Sequence, residues 1–138
     1  MATRIGPGVI EIDTLLGGWT RVTAGYLIEG PAPVLVETGS QSSVATLLAA
    51  LDGLGVAPGD LAGVAVTHIH LDHAGGVGDV ARAFPNATVY VHEKGARHLV
   101  DPERLVHSAR WRAPFSCTYT VARGNARATS PTPPAWSR

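Results

Sequence analysis

Residues 67–76 read Thr-His-Ile-His-Leu-Asp-His-Ala-Gly-Gly, and they hold three of the chain's six histidines and one aspartate in the order H-x-H-x-D-H. Imidazole nitrogens and carboxylate oxygens are the usual protein donors of catalytic zinc sites, whereas a folded core needs no such cluster. A single histidine is more often an ordinary surface or core residue, but four donors within six positions are hard to attribute to chance. The segment therefore predicts a metal site.

The spacing of these donors indicates how metal would be shared among them. His68 and His70 follow a β-prone run at residues 63–67, and side chains two apart point to the same side of an extended chain. We therefore expect these two imidazoles on one metal. Asp72 and His73 would reach a second metal after a turn that the following glycine pair permits. Two metals ~3.5–4 Å apart can activate water for hydrolysis.

The mixed nitrogen and oxygen donors favour zinc, with manganese or iron as alternatives. Cys117 is the chain's single cysteine and lies far from the histidine segment, so the sequence excludes a Cys-rich structural zinc site and an internal disulfide. A lone cysteine suits a reducing compartment. No apolar run approaches the ~20 residues of a membrane helix, and the first residues lack a signal-peptide pattern. We therefore expect a cytoplasmic protein with no membrane partner.

Short apolar runs alternate with turn residues on both sides of the histidine segment. Strands are predicted at residues 9–16, 26–29, 34–37, 63–67 and 87–91, with helices from Ser42 or Ser43 to Leu54, at 78–84 and at 93–100. The runs at 26–29 and 34–37 flank a Gly-Pro-Ala-Pro turn and predict a hairpin. This order indicates an α/β (α+β) fold in which a mixed sheet carries helices on one face. No segment is identified that would cover the other face, so self-association through it is expected.

The chain changes character near residue 110. Residues 1–103 carry 5 basic and 11 acidic side chains, whereas residues 104–138 carry 6 arginines and no acid. We divide the chain into a domain at 1–110 and an Arg/Pro-rich tail at 111–138, expected to be disordered or out of frame. The tail lacks lysine clusters and interleaved aromatics, so nucleic acid is not an expected partner.

His-Ile-His-Leu-Asp-His-Ala-Gly-Gly at residues 68–76 resembles the signature of the metallo-β-lactamase-fold hydrolases, and so does the strand ending in Val-Glu-Thr-Gly at 36–39. The resemblance covers about residues 8–108. It implies the N-terminal half of an αββα sandwich with metals at one edge between two sheets. It also implies that His68 and His70 bind the first metal, and that Asp72 and His73 bind the second.

The sequence departs from that family's pattern in two places. Glu37 stands where the family often has aspartate, with the implied role of bracing the metal loop. The family completes its site with a later histidine, a bridging aspartate and a last histidine, yet no aspartate follows Asp101 and His107 is the only later histidine. His92 and His98 are interpreted as ordinary partly exposed residues.

The function that follows is a metal-dependent hydrolase acting on a small-molecule substrate. A water activated by the metal would attack an ester, thioester, lactone or amide carbonyl, with Asp72 as the catalytic residue and zinc as the metal. The alternative is a truncated, catalytically deficient half-domain that holds at most one metal weakly. A simple αβ binding module would leave the histidine segment unexplained.

Overall fold

The computed structural model describes residues 1–101 and 103, and the strands within these residues form one mixed sheet. In chain order the strands are β1 (Ala2–Gly6), β2 (Val9–Asp13), β3 (Ala24–Ile28), β4 (Val34–Val36), β5 (Gly63–Ala65) and β6 (Thr88–Tyr90). The helices are α1 (Val44–Gly53), α2 (Leu71–Ala74), α3 (Val77–Ala83) and α4 (Glu93–Val100). Strands β1 to β4 run antiparallel to their neighbours, and β5 and β6 continue parallel to β4. The predicted mixed sheet is confirmed.

The predicted hairpin is present as β3 and β4, which pair antiparallel with Tyr26 opposite Val36. Strand β2 is shorter than the predicted run at residues 9–16. It ends at Asp13 because the Asp13 carboxylate accepts the backbone N–H groups of Leu15 and Arg21, which turns the chain away from the sheet. Strand β1 was not predicted, since its side chains are exposed on almost every position and show no buried alternation.

Helix α1 occupies most of the predicted helical segment and turns Leu47 and Leu51 into the core. Its end matches the sequence prediction: Gly55 has a left-handed φ of 80°, its N–H donates to Asp52, and Val56 N–H donates to Leu51. Its start does not. The Ser43 side chain caps no backbone N–H and instead hydrogen-bonds the Ser40 hydroxyl at 3.0 Å.

The hydrophobic core lies between the helices and one face of the sheet, here called the helix face. It consists mainly of branched aliphatic side chains that alternate along the strands and recur on one side of the helices: Ile10, Ile12, Leu27, Leu35, Leu47, Leu51, Leu61, Val64, Val66, Val77, Val80 and Phe84. Burying such side chains is the main driving force for this layer arrangement. The helices therefore hold the carboxyl ends of β4 and β5 in fixed positions.

The opposite sheet face, here called the open face, carries no buried side chain among the described residues. Its members alternate with the core residues along each strand and include Tyr26, Val34, Val36, Ile28 and Tyr90, with Ile28 38% and Tyr90 47% exposed. Part of the ring of Tyr90 lies over Gly63, where an added Cβ would stand 2.8 Å from Tyr90 Cε2. The placement of helices on one face is thus confirmed.

No helix in the described part of the chain is long and apolar enough to cross a membrane. The predicted tail at 111–138 lies outside the described residues, and the proposed division at residue 110 stays a prediction.

Candidate metal centre

The histidine segment and Glu37 meet at one edge of the sheet. Strands β4 and β5 are parallel, so their carboxyl ends lie at the same edge, and Glu37 directly follows β4 while residues 67–76 follow β5. Backbone hydrogen bonds join the two connections: Glu37 N–H donates to the Ala65 carbonyl at 2.8 Å, and Thr38 N–H donates to the His73 carbonyl at 2.9 Å. Ligand sites in parallel sheets commonly occupy this edge.

Glu37 has an unusual backbone and an unusual side-chain environment. Its φ is 64°, in the left-handed region that costs a residue with a side chain on the order of 1–3 kcal/mol. The residue is only 5% exposed. One carboxylate oxygen, Oε1, accepts the Thr67 N–H at 2.9 Å, while the other, Oε2, is buried without a hydrogen-bond partner. The first contact agrees with the expected role of bracing the metal loop.

Three donors converge beside this buried oxygen. One ligand atom from each of Glu37, His68 and His73 lies within 4.8 Å of the others, and His73 Nδ1 is 3.5 Å from Glu37 Oε2. The His68 and His73 ring centroids are 4.2 Å apart. Glu37 is buried, whereas His68 and His73 are both partly exposed. Two imidazoles and a carboxylate form a donor set that suits zinc, manganese or iron.

The orientation of His68 is fixed by its neighbour. Thr67 Oγ1 lies 2.8 Å from His68 Nδ1, so this hydroxyl engages one ring nitrogen and leaves Nε2 as the free donor. His70 lies next to this ring, with centroids 4.7 Å apart, but is itself exposed. His70 stands at the start of α2 and does not belong to the three-donor group.

Asp72 lies on α2, where its side chain is 47% exposed. Its Oδ2 is 3.5 Å from His73 Nε2, so the His73 ring stands between the Asp72 and Glu37 carboxylates. The structure thus brings His68 and His73 together with Glu37 and leaves His70 and Asp72 alongside. The predicted pairing of His68 with His70, and of Asp72 with His73, stays a prediction.

The local path of the chain explains this arrangement. Strand β5 ends at Ala65, so the segment is not an extended continuation of the strand, and α2 begins at Leu71. Gly75 and Gly76 were expected to supply backbone freedom, but their φ values of −65° and −89° are helical. Gly76 is needed for close packing, since an added Cβ would stand 2.7 Å from Val44 Cγ2 and 3.0 Å from the Thr38 carbonyl oxygen.

His92 and His98 do not belong to the three-donor group. His92 is exposed at the start of α4 and accepts the Lys94 N–H at Nδ1. His98 is half-buried on α4 and accepts from Arg97 Nε at 3.2 Å. Both agree with their interpretation as ordinary partly exposed residues. His107 lies outside the described part of the chain.

An open pocket of about 330 Å³ lies on the open face, at the ends of β2 and β3. It is lined by Glu11, Asp13, Arg21, Val22, Thr23, Ala24 and Tyr26. Two backbone N–H groups, first that of Arg21 and then that of Leu15, stabilise the charged Asp13 carboxylate and lower its pKa. Because β2 and β4 run in the same direction, this pocket shares a sheet edge with Glu37. The pocket was not predicted, because its lining comes from two groups of residues, 11–13 and 21–26, that the pairing of β2 with β3 brings together.

The donor atoms of Glu37, His68 and His73 fit a divalent metal ion. A buried carboxylate oxygen without a partner is expensive, and a cation held between it and two imidazoles would supply that partner. The family resemblance implies only a bracing role for Glu37, because Glu37 and His68 lie 31 positions apart and no local pattern shows their contact. One sequence feature could have indicated the contact. Glu37 directly follows β4, and the histidine segment follows the parallel strand β5, so both lie at the same sheet edge.

Comparison with known proteins gives an independent result. The family model of the metallo-beta-lactamase superfamily matches residues 17–128, more than half of the chain. Metallo-beta-lactamase domain-containing protein 1 of Homo sapiens is 48% identical over 71 residues, and the Xenopus laevis protein of that name is 47% identical over 74 residues. These matches cover 49% and 47% of this chain, and 25% and 32% of the respective relatives.

This chain is similar in fold to a solved structure of MEM-A1, a subclass B3 metallo-beta-lactamase isolated from a soil metagenome library. The TM-score is 0.63 at 24% identity, over 72% of this chain and 35% of that one. The likeness confirms the fold expected from the histidine segment, with the chain spanning about a third of the solved protein. The strands, the histidine segment and the family match together place this chain in the metallo-beta-lactamase superfamily.

Proposed function

We propose that this chain is a metal-dependent hydrolase whose site lies at the carboxyl ends of β4 and β5. Its superfamily supports metal-dependent hydrolysis in general. The observation that carries the proposal for this chain is the convergence of Glu37, His68 and His73 donors within 4.8 Å. These residues would hold the metal, and zinc suits the two imidazoles and one carboxylate best. A bound zinc ion supplies Lewis-acid chemistry and lowers the pKa of water.

The surrounding residues have separate tasks in this proposal. Thr67 fixes the His68 ring through its contact with Nδ1, and Glu37 Oε1 holds the Thr67 backbone in place. Asp72 offers a half-exposed carboxylate beside His73, where it can accept a proton from an attacking water or orient that water toward a carbonyl carbon. We assign Asp72 the catalytic role for this reason. His70, exposed beside His68, is a further donor for a second metal.

The substrate we propose is a small molecule with an ester, thioester, lactone or amide carbonyl. The pocket at the ends of β2 and β3 is of ligand size, since small-molecule sites are typically ~300–1,000 Å³. Thr14 and Gly39 bring this end of β2 close to the end of β4, because a Cβ on Gly39 would lie 3.1 Å from Thr14 Cβ. A substrate in the pocket would thus lie on the edge that carries Glu37.

The second candidate is a metal-binding half-domain with little or no turnover. The number of converging donors favours this candidate. Within the described residues the group contains three side chains, Glu37, His68 and His73, which is enough for one metal ion. Binding of one metal without rapid hydrolysis is the expected property in this case.

Two measurements on the full chain separate the candidates. Zinc content per chain is measured after purification, and hydrolysis of an aryl ester and a β-lactam reporter is followed with and without chelator. We expect at most one tightly held zinc and slow turnover that the chelator abolishes. Bound zinc without any chelator-sensitive turnover would favour the half-domain. Turnover that persists in chelator would contradict the hydrolase proposal.

We also propose self-association through the open face and a cytoplasmic location. The first rests on the apolar side chains that this face leaves partly exposed, including Ile28, Val34 and Tyr90. The second rests on the single cysteine of the chain, which suits a reducing compartment.

A further inference from the structure

We propose that Gly95 on α4 is a positioning residue of the proposed metal centre. Because Gly95 has no side chain, α4 can pack directly against Ile69, the residue between His68 and His70, and this contact holds the two imidazoles in their relative positions. The inference rests on the proposed metal binding. It assigns a role in that site to α4, a helix that contributes none of the three converging donors.

The first support is the closeness of α4 to the histidine segment. Gly95 is buried, and an added Cβ would stand 2.8 Å from Ile69 Cγ2 and 3.0 Å from Val91 Cγ2. Carbon atoms that are not bonded to each other pack at ~3.5–4.0 Å, so both contacts would be repulsive. Glycine therefore fits between these two side chains, and any larger residue would force one of them to move.

The second support is the direction in which the displacement would go. The Cγ2 methyl is bonded directly to the Cβ of Ile69, and a β-branched side chain has few allowed χ1 angles, so the methyl moves mainly with the backbone. The helix cannot easily withdraw instead, because Leu99 on α4 and Val91 just before it pack against the hydrophobic core. A side chain at position 95 would thus displace the backbone of Ile69, and the two adjacent histidines with it.

The third support is the way in which the rest of the segment is held. The Thr67 N–H is bound by a buried carboxylate at 2.9 Å, and the His73 carbonyl accepts both the N–H and the hydroxyl of Thr38, at 2.9 and 3.0 Å. Between these two points, no backbone N–H of residues 68–70 donates to a backbone carbonyl of the described residues. Side-chain packing at Ile69 is therefore the main constraint on this stretch.

The test is zinc binding to the full chain, measured by competition with a chromophoric chelator, for Gly95→Ala, Ile69→Ala and the double variant. Ile69→Ala removes the methyl that the new Cβ would meet. Gly53→Ala is the matched control, because it makes the same change in α1 where nothing lies within 4 Å of an added Cβ. Circular dichroism establishes the temperature at which each variant is folded. Imidazole NMR resonances in chelator report the ring positions without metal.

We expect Gly95→Ala to weaken zinc binding about 10–100-fold, the loss typical of residues that orient metal ligands. Alanine favours a helix over glycine by ~1 kcal/mol, so the helix itself should persist. Ile69→Ala should also weaken binding, and Gly95→Ala should cause no further loss in that background, since contacting residues couple. In chelator, the His68 and His70 resonances should shift in Gly95→Ala. Gly53→Ala should keep both the affinity and the resonances of the unmodified chain.

Unchanged zinc affinity in Gly95→Ala would overturn the inference and leave metal binding in place. An equal loss with and without Ile69 would also overturn it, because the loss would then arise from another contact. If Gly95→Ala did not fold, folded Ile69→Ala would decide, and its binding zinc as tightly as the unmodified chain would overturn the inference. Failure of the unmodified chain to bind zinc would overturn the proposed metal site and this inference together.

Discussion

The Glu37 carboxylate accepts the backbone N–H of Thr67 at 2.9 Å, which ties the end of β4 to the first residue of the histidine segment. This bond crosses 30 positions of sequence and lies at the edge where two parallel strands end. The same carboxylate directs its second oxygen toward His73. One side chain therefore positions the histidine segment and offers it a ligand atom.

The first prediction concerns the stability of Glu37→Gln without metal. We expect this variant to be more stable than the unmodified chain by on the order of 1 kcal/mol, because it removes the charge of a buried carboxylate whose Oε2 has no hydrogen-bond partner and keeps an acceptor for Thr67. Urea unfolding in the presence of a chelator measures the free energy of unfolding. With saturating zinc the order should reverse, since a ligand that binds the folded state stabilises it in proportion to its affinity.

A variant that is less stable in chelator would show that the contact with His73 Nδ1, 3.5 Å away, stabilises the Oε2 charge in the folded chain. If Glu37→Gln remained more stable than the unmodified chain with saturating zinc, Glu37 would contribute nothing to metal affinity. Glu11→Gln is the control, because Glu11 is a half-buried carboxylate in the middle of β2, and it should show no reversal between the two conditions.

The second prediction concerns the packing of the histidine segment on α1. Gly76→Ala should destabilise the fold by about 1–3 kcal/mol, because its Cβ would stand 2.7 Å from Val44 Cγ2 and 3.0 Å from the Thr38 carbonyl oxygen. Gly53→Ala is the control, since nothing lies within 4 Å of a Cβ there. Thermal unfolding of both variants provides the comparison. Equal stability of the two would mean that the segment packs less closely than the structure indicates.

The third prediction is a pH dependence that arises at Asp13. Hydrogen bonds from Arg21 and Leu15 lower the pKa of Asp13 in the folded chain, so folding favours the charged carboxylate. Its stabilising effect should be complete above the unfolded pKa of ~3.9 and should be lost as the pH falls through the lower folded value. Asp13→Asn should therefore lower the melting temperature at pH 7 and have a smaller effect near pH 3. If the difference in melting temperature between Asp13→Asn and the unmodified chain were the same at pH 7 and pH 3, the lowered pKa of Asp13 would be contradicted.

The fourth prediction concerns association through the open face. Ile28 lies on this face with 38% exposure, and Leu54 lies at the end of α1 with 37% exposure. Ile28→Glu should shift the chain toward monomer, because it places a charge within the apolar surface that would be buried. Leu54→Glu, a matched change on the helix side, should leave the distribution unchanged. Sedimentation velocity over a range of concentrations measures the association of both variants. Equal association of Ile28→Glu and Leu54→Glu would contradict association through the open face.

The sequence predicted the elements whose apolar pattern is strong. The hairpin at β3 and β4, helix α1 with its terminal Gly55 and the strand before His68 are all present. Their signals are local, since alternation, helical spacing and turn residues act over a few positions. Strand β1 was missed because its exposed residues carry no such pattern, and it forms only by pairing with β2.

The site was predictable only in part, for a geometric reason. His68 and His73 were identified from residue type and spacing, but their nearness to Glu37 depends on the parallel pairing of β4 with β5. It also depends on the left-handed backbone of Glu37, which directs the carboxylate toward the histidine segment. Neither property is visible in a local sequence pattern, so Glu37 was expected to brace the loop and not to join the donors.

The most direct test of the metal centre is the zinc content of the full chain after equilibrium dialysis, determined by elemental analysis alongside a His68→Ala/His73→Ala double variant. The donor geometry predicts one zinc per unmodified chain, removable by chelator, and none in the double variant, because that variant removes two of the three converging ligands. An unmodified chain that retains no zinc, or a double variant that retains as much as the unmodified chain, would contradict a metal site formed by Glu37, His68 and His73.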